Sequence, residues 1–159
     1  LGHVLHVQRE DEDAEERQRI GVHTCPGGDR DATHSADVDY EELLPSLFEL
    51  KAGNFYVALA GEKDRARVLR IIRRYMTPEQ RIFVGVIAPI DGRVETPEEV
   101  RDRTLEAAEY IPLEQLGTTD DCGFSPFSDD TSTTRDTAFA KIRARVQGTA
   151  LAADDLASR

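Results

Sequence analysis

The chain holds 159 residues with a net charge of −11. Its acidity argues against a nucleic-acid surface, which needs clustered Lys and Arg. No apolar run approaches membrane-spanning length and no charged-apolar-small leader is visible, so we expect a soluble, cytoplasmic protein with room for one ordinary domain.

The first residue is Leu, without a visible turn or cap. We expect residues 1–19 to be an N-terminal segment, the end of a preceding helix, in a fragment of a longer polypeptide. Residues 20–159 are expected to form the folded unit, in which strand and helix signals alternate. Strands are predicted at 20–24, 54–59, 81–87 and 115–118, several of them continuous apolar runs suited to burial on both faces. Between them, Asp39 caps a helix with its apolar face at Leu43, Leu44, Leu47 and Phe48. Residues 63–76 carry Val68, Leu69, Ile71, Ile72 and Tyr75 at helical spacing, and the Arg-rich remainder reads as a wet face. Thr96-Pro97-Glu98-Glu99 is a strong helix start. The last helix is predicted at 134–156 with Phe139, Ile142, Val146 and Leu151 inward. Four βα units imply parallel strands with right-handed crossovers, and therefore half of a (β/α)8 barrel. A small doubly wound sheet is the competing architecture. A free half barrel leaves two strand edges unpaired, so a missing N-terminal half or a second copy is the expected partner.

The chain has two cysteines, and both follow β-branched stretches that run into Gly-rich turns. Cys25 stands in Val-His-Thr-Cys-Pro-Gly-Gly and Cys122 in Thr-Thr-Asp-Asp-Cys-Gly-Phe. His23 and Cys25 are two apart, so an extended strand puts both on one face. One imidazole and two thiolates suit Zn²⁺, with a position left open for a substrate. Two buried core cysteines are the alternative. A disulfide has little support from so few cysteines with no visible leader.

Several neighbours of these cassettes carry a functional and a plain reading. Asp120 and Asp121 precede Cys122, and one of them, Asp121 foremost, is a candidate to orient a ligating imidazole or bind a cationic substrate group, or merely caps the turn. His34 could complete the metal set, although a loop His is the simpler reading. Glu62 is read as a solvated acid in a first helical turn. The Pro26-Gly27-Gly28-Asp29 turn could bind an anion or simply be a βα loop. Ser125, Ser128, Asp129 and Asp130 could form a lid, whereas His3 and His6 read as tail residues. No Ser-His-Asp pattern, Walker loop or dinucleotide fingerprint is present.

Taken in order, Val-His-Thr-Cys, Arg-Ile-Phe-Val-Gly-Val-Ile-Ala-Pro, Val-Glu-Thr-Pro-Glu-Glu-Val-Arg and Thr-Asp-Asp-Cys-Gly-Phe resemble the C-terminal catalytic barrel of the cobalamin-independent methionine synthases. These are 5-methyltetrahydropteroyltriglutamate–homocysteine methyltransferases. The resemblance covers residues 20–152. It implies zinc ligands at His23, Cys25 and Cys122, and a zinc-dependent S-methyltransferase. The metal would activate the thiol of homocysteine to take a methyl group from a folate nitrogen.

Two family groups are absent. The family's Glu ligand falls here on Ala58 or Leu59, and its proton-donating His falls on Ile87. A divergent branch follows, in which the methyl donor or the thiol acceptor differs. A non-catalytic half-barrel module and a barrel of the uroporphyrinogen decarboxylase type remain as alternatives.

Overall fold

A computed structural model describes residues 14–24, 39–125 and 133–159. In chain order the elements are α1 (Ala14–Arg17), β1 (Gly21–Thr24), α2 (Tyr40–Phe48), β2 (Asn54–Val57), α3 (Arg65–Tyr75), β3 (Arg81–Ile87), α4 (Pro97–Ala108), β4 (Leu116–Asp120) and α5 (Arg135–Ala157). The four strands lie in the order β1-β2-β3-β4 and every pair is parallel. A helix follows each strand, so the architecture is α/β and corresponds to half of a (β/α)8 barrel.

Local chemistry sets the helix starts. The Asp39 carboxylate accepts from the Glu41 amide, the Asp64 carboxylate from Arg67 and the Thr134 hydroxyl from Thr137. Thr96 and Glu99 form a reciprocal capping box ahead of Pro97. Each cap satisfies amides that the first helical turn leaves without partners.

The core lies between the sheet and the helices. Phe55 and Val57 of β2 and Ile82, Val84 and Val86 of β3 pack with Leu44, Leu69, Ile72 and Val100 from the helices. Phe48 meets Phe55 edge-on, with ring centroids 5.0 Å apart. Burying each such side chain contributes about 1.5–3 kcal/mol before entropy is counted. The alternate register row is His23, Tyr56, Phe83 and Gly117. Tyr56 and Phe83 stack at 4.7 Å, and both glycines of the neighbourhood leave room for the rings. A Cβ at Gly21 would stand 2.8 Å from the Tyr56 ring, and one at Gly117 would overlap Phe83.

Helix α5 differs from expectation. Phe139 and Val146 are 53% and 59% exposed and Leu151 37%, whereas Ala144, Gly148 and Ala152 are buried. The reason is close approach to α4: a Cβ on Gly148 would meet the Pro97 carbonyl and the Val100 side chain. Small residues therefore form the packed stripe, and the bulky apolar ones turn outward.

The same helix buries Lys141 completely. Its ammonium donates to Glu95 at 2.8 Å and to the Ala88 and Arg93 carbonyls. Glu95, also buried, accepts from the Ala88 amide and has Arg103 at 3.9 Å. Lys141→Met would strand that carboxylate. We expect a loss of about 3–5 kcal/mol in urea unfolding, the usual cost of breaking a buried ion pair. A loss under 1 kcal/mol would show that Arg103 substitutes for it.

Candidate functional site at the strand ends

All four strands point their C-terminal ends the same way, and those of the predicted groups that are described lie there with unequal exposure. His23 lies on β1 and is exposed, and Thr24, the last residue of the strand, is buried. The Thr24 carbonyl accepts from the Ala58 amide at 3.3 Å. Cys25, the Pro26–Asp29 turn and His34 lie outside the described residues, as do His3, His6, Ser128, Asp129 and Asp130. Cys122 follows β4 by two residues and is half-buried. It is disulfide-bonded, contrary to the expectation of a free thiol. The sequence holds one other cysteine, Cys25. Ser125 is exposed.

Asp121 has the most demanding environment. Its Oδ1 accepts from the Leu59 amide at 2.8 Å and the Ala60 amide at 2.9 Å, and its Oδ2 from Gly61 at 3.0 Å. Its own amide donates to the Ile87 carbonyl at 2.9 Å. The side chain thus ties the loop after β2 to the end of β4. Room for it comes from Gly85, where a Cβ would overlap Oδ1 and approach Cγ to 2.9 Å. Beside it the β3–β4 register slips between Gly85 and Ile87, a bulge that re-aims the strand end. Burial raises the Asp121 carboxyl above the ordinary carboxylate range, and the three amides pull it back. The turn-cap reading of Asp121 holds, and the turn it caps follows β2, two strands away from β4 in the sheet.

Glu62 also departs from expectation. It precedes α3 by three residues and is half-buried, with its amide on the Leu59 carbonyl at 3.2 Å. Burial, and then the nearby Asp121 carboxylate, raise its carboxyl above the usual range. The Tyr40 hydroxyl donates to the Ala58 carbonyl at 2.5 Å and is raised well above the ordinary phenol range by burial. A raised acid favours the neutral form in the folded state. Its stability contribution is therefore full below the ordinary carboxylate pKa and is lost as pH climbs through the raised value. Glu62→Gln should accordingly melt higher than the unmodified chain at pH 7 and level with it at pH 4. Equal melting at both pH values would contradict the burial argument.

Arg65 corrects the reading of α3 as wet outside its apolar stripe. Its side chain, 13% exposed, pairs with Glu106 at 2.7 Å and donates to the Leu59 carbonyl at 2.8 Å and the Gly85 carbonyl at 3.3 Å. It braces the ends of β2 and β3 from below Asp121. Asp120, by contrast, stands 3.1 Å from Arg145 of α5. Burial raises its carboxyl, and Arg145 offsets part of the rise.

The three positions tied to missing family groups are apolar and enclosed. Ala58 and Leu59 are 2% and 0% exposed, and Ile87 is fully buried. Among the described residues, no group of three His, Cys, Asp or Glu side chains is arranged to hold a metal ion. The donor set His23, Cys25 and Cys122 fits Zn²⁺ by chemical type once the thiols are reduced. Concavities among the described residues also lie away from these strand ends. One, with Gly53, Asn54, Arg81 and Gln115, opens at the opposite end of the sheet, and one, with Leu116 and Leu156, sits between β4 and α5. No helix among the described residues is long and apolar enough to cross a membrane.

No family model matches the chain. Among curated proteins it is 28% identical over 125 residues to the uncharacterized protein YxjH of Bacillus subtilis, covering 78% of this chain and 32% of that one. It is 28% identical over 140 residues to a methionine synthase of Saccharolobus islandicus, covering 87% of this chain and 36% of the relative. A B12-independent methionine synthase from Shewanella sp. W3-18-1, solved in complex with selenomethionine, superposes with a TM-score of 0.70 at 21% identity. That match covers 87% of this chain and 40% of the other. The chain thus spans about a third of the length of the curated relatives it matches.

Proposed function

We propose, from this likeness to methionine synthases, that the chain is the C-terminal half of a methionine-synthase-like barrel and serves a zinc-dependent S-methyltransferase. The coarse part, relation to methyltransferases of methionine synthesis, rests on the likeness to the methionine synthase of Saccharolobus islandicus and on the shared fold. In this reading residues 1–19 precede the barrel half and 20–159 form it. His23, Cys25 and Cys122 hold the metal in a reducing cytoplasm, and the disulfide at Cys122 is the oxidised, metal-free state. The other half of the barrel comes from an N-terminal partner segment or a second copy, because among the described residues β1 and β4 stand at the two edges of the sheet.

The observation that carries the proposal is positional. His23 on the first strand and Cys122 two residues past the last strand lie at the end where barrel enzymes keep their chemistry. The bound metal would lower the pKa of an incoming thiol and hold it as thiolate near neutral pH. Asp121 keeps the floor of the site closed by occupying the space above Gly85. Ala58, Leu59 and Ile87 make the surroundings apolar, so nothing at those positions gives or takes a proton.

Metal analysis of reduced protein tests the proposal. One zinc ion per chain, lost in Cys25→Ser, is the expected result. Full-length reduced protein that binds no zinc would overturn it in favour of a non-catalytic half-barrel module.

A further inference from the structure

Asp121 belongs to no expected ligand set, yet it receives more hydrogen bonds than any other carboxylate at the strand ends. Its two oxygens accept three consecutive amides, those of Leu59, Ala60 and Gly61. The adjoining residue is Cys122. The turn so captured continues directly to Glu62, whose amide closes on the Leu59 carbonyl. The Leu59 carbonyl is held in addition by Arg65. One side chain therefore fixes, at the same moment, where β4 hands over to Cys122 and where β2 hands over to Glu62.

Only aspartate satisfies this geometry. Asparagine would turn an amide NH₂ toward at least one of the three N–H donors, leaving a buried donor without an acceptor. Glutamate needs an extra methylene in a space that is open only because residue 85 has no Cβ. Gly85 and Asp121 are one device: the glycine on β3 makes the pocket and the carboxylate after β4 fills it.

We infer that Asp121 is a positioning residue of the proposed zinc site, setting the Cys122 sulfur against the β2-end turn by holding the amides of residues 59–61. The inference rests on the zinc reading and adds to it a residue that touches neither metal nor substrate. Groups that orient zinc ligands from outside typically carry 10–100-fold in affinity when removed.

The test is competition for zinc between the reduced protein and a chromophoric chelator. It compares the unmodified full chain, Cys122→Ser, Asp121→Asn and Gln115→Ala, alongside melting of each metal-free form. Gln115 bonds the Thr77 and Gln80 carbonyls at the far end of the sheet. Gln115→Ala should therefore lower the melting temperature and leave zinc affinity unchanged. Asp121→Asn should weaken zinc about 10–100-fold and speed amide exchange at Leu59, Ala60 and Gly61. If Asn at 121 prevents folding, Gly85→Ala displaces the carboxylate without removing it and carries the same comparison. Zinc affinity within twofold of the unmodified chain in the folded variant overturns the inference. So does a loss no larger than Gln115→Ala shows at equal destabilisation. Failure of the zinc reading looks different, since the unmodified chain itself would then bind no zinc.

Discussion

Reduced protein is expected to lose most of its zinc affinity when Cys122 becomes Ser or His23 becomes Ala, and to keep it when His34 becomes Ala. Complete zinc sites bind with about 10–16 kcal/mol at neutral pH. One of three or four ligands thus accounts for roughly 3–4 kcal/mol, which is on the order of 10²–10³-fold in affinity. Affinity should also fall as pH drops, because protons compete with the metal for imidazole and thiolate. The sign separates zinc from a carboxylate-bound cation, whose binding would persist to lower pH. Chelator competition from pH 8 to pH 5.5 measures both. A large loss from His34→Ala would make that residue a ligand and supply the missing fourth donor.

The second large effect concerns the methyl donor. Joined to the other half of its barrel, the chain is expected to transfer methyl from methyltetrahydrofolate to homocysteine slowly. The folate nitrogen must be protonated to leave, and Ile87 stands fully buried where the family resemblance places a proton donor. General acid catalysis is worth about 10²–10⁴-fold, which sets the size of the deficit. A methylsulfonium donor avoids the problem: the thiolate forms its S–C bond as the old S–C bond breaks, and a neutral thioether departs without a proton. It should therefore be the better substrate. Comparable turnover with both donors would show that the proton arrives from a group other than residue 87. Folate turnover at an ordinary methionine synthase rate would refute the divergent reading.

Much of the fold was legible because its signals are local. Asp39, Thr96 and Thr134 each cap the helix they introduce, and the apolar run at 82–87 is a strand buried on its core side. The errors came where burial depends on a distant element. Phe139 and Val146 looked like core until Gly148 brought α5 so close to α4 that only small side chains fit between. Arg65 fell in what read as a wet face, yet it reaches the Gly85 carbonyl of β3, and Lys141, which no spacing rule singled out, ends on the Ala88 and Arg93 carbonyls. At the site, the motif around Cys122 marked Asp121 as interesting. Its partners lie about sixty residues earlier in the chain. No spacing rule links residue 121 to the amides at 59–61. A glycine at 85 in an otherwise bulky strand was the single available hint of a close approach.

The stacked pair of Tyr56 and Phe83 has an optical consequence. The chain has no Trp, so its near-ultraviolet emission belongs to four tyrosines without an energy acceptor to mask them. Tyr56 lies half-buried on the face of the sheet that would look toward a barrel axis, flattened there by Gly21. A second half barrel laid on that face would enclose the phenol and change its polarity. The molecule therefore carries its own chromophore for barrel closure, at a position where no dye need be attached.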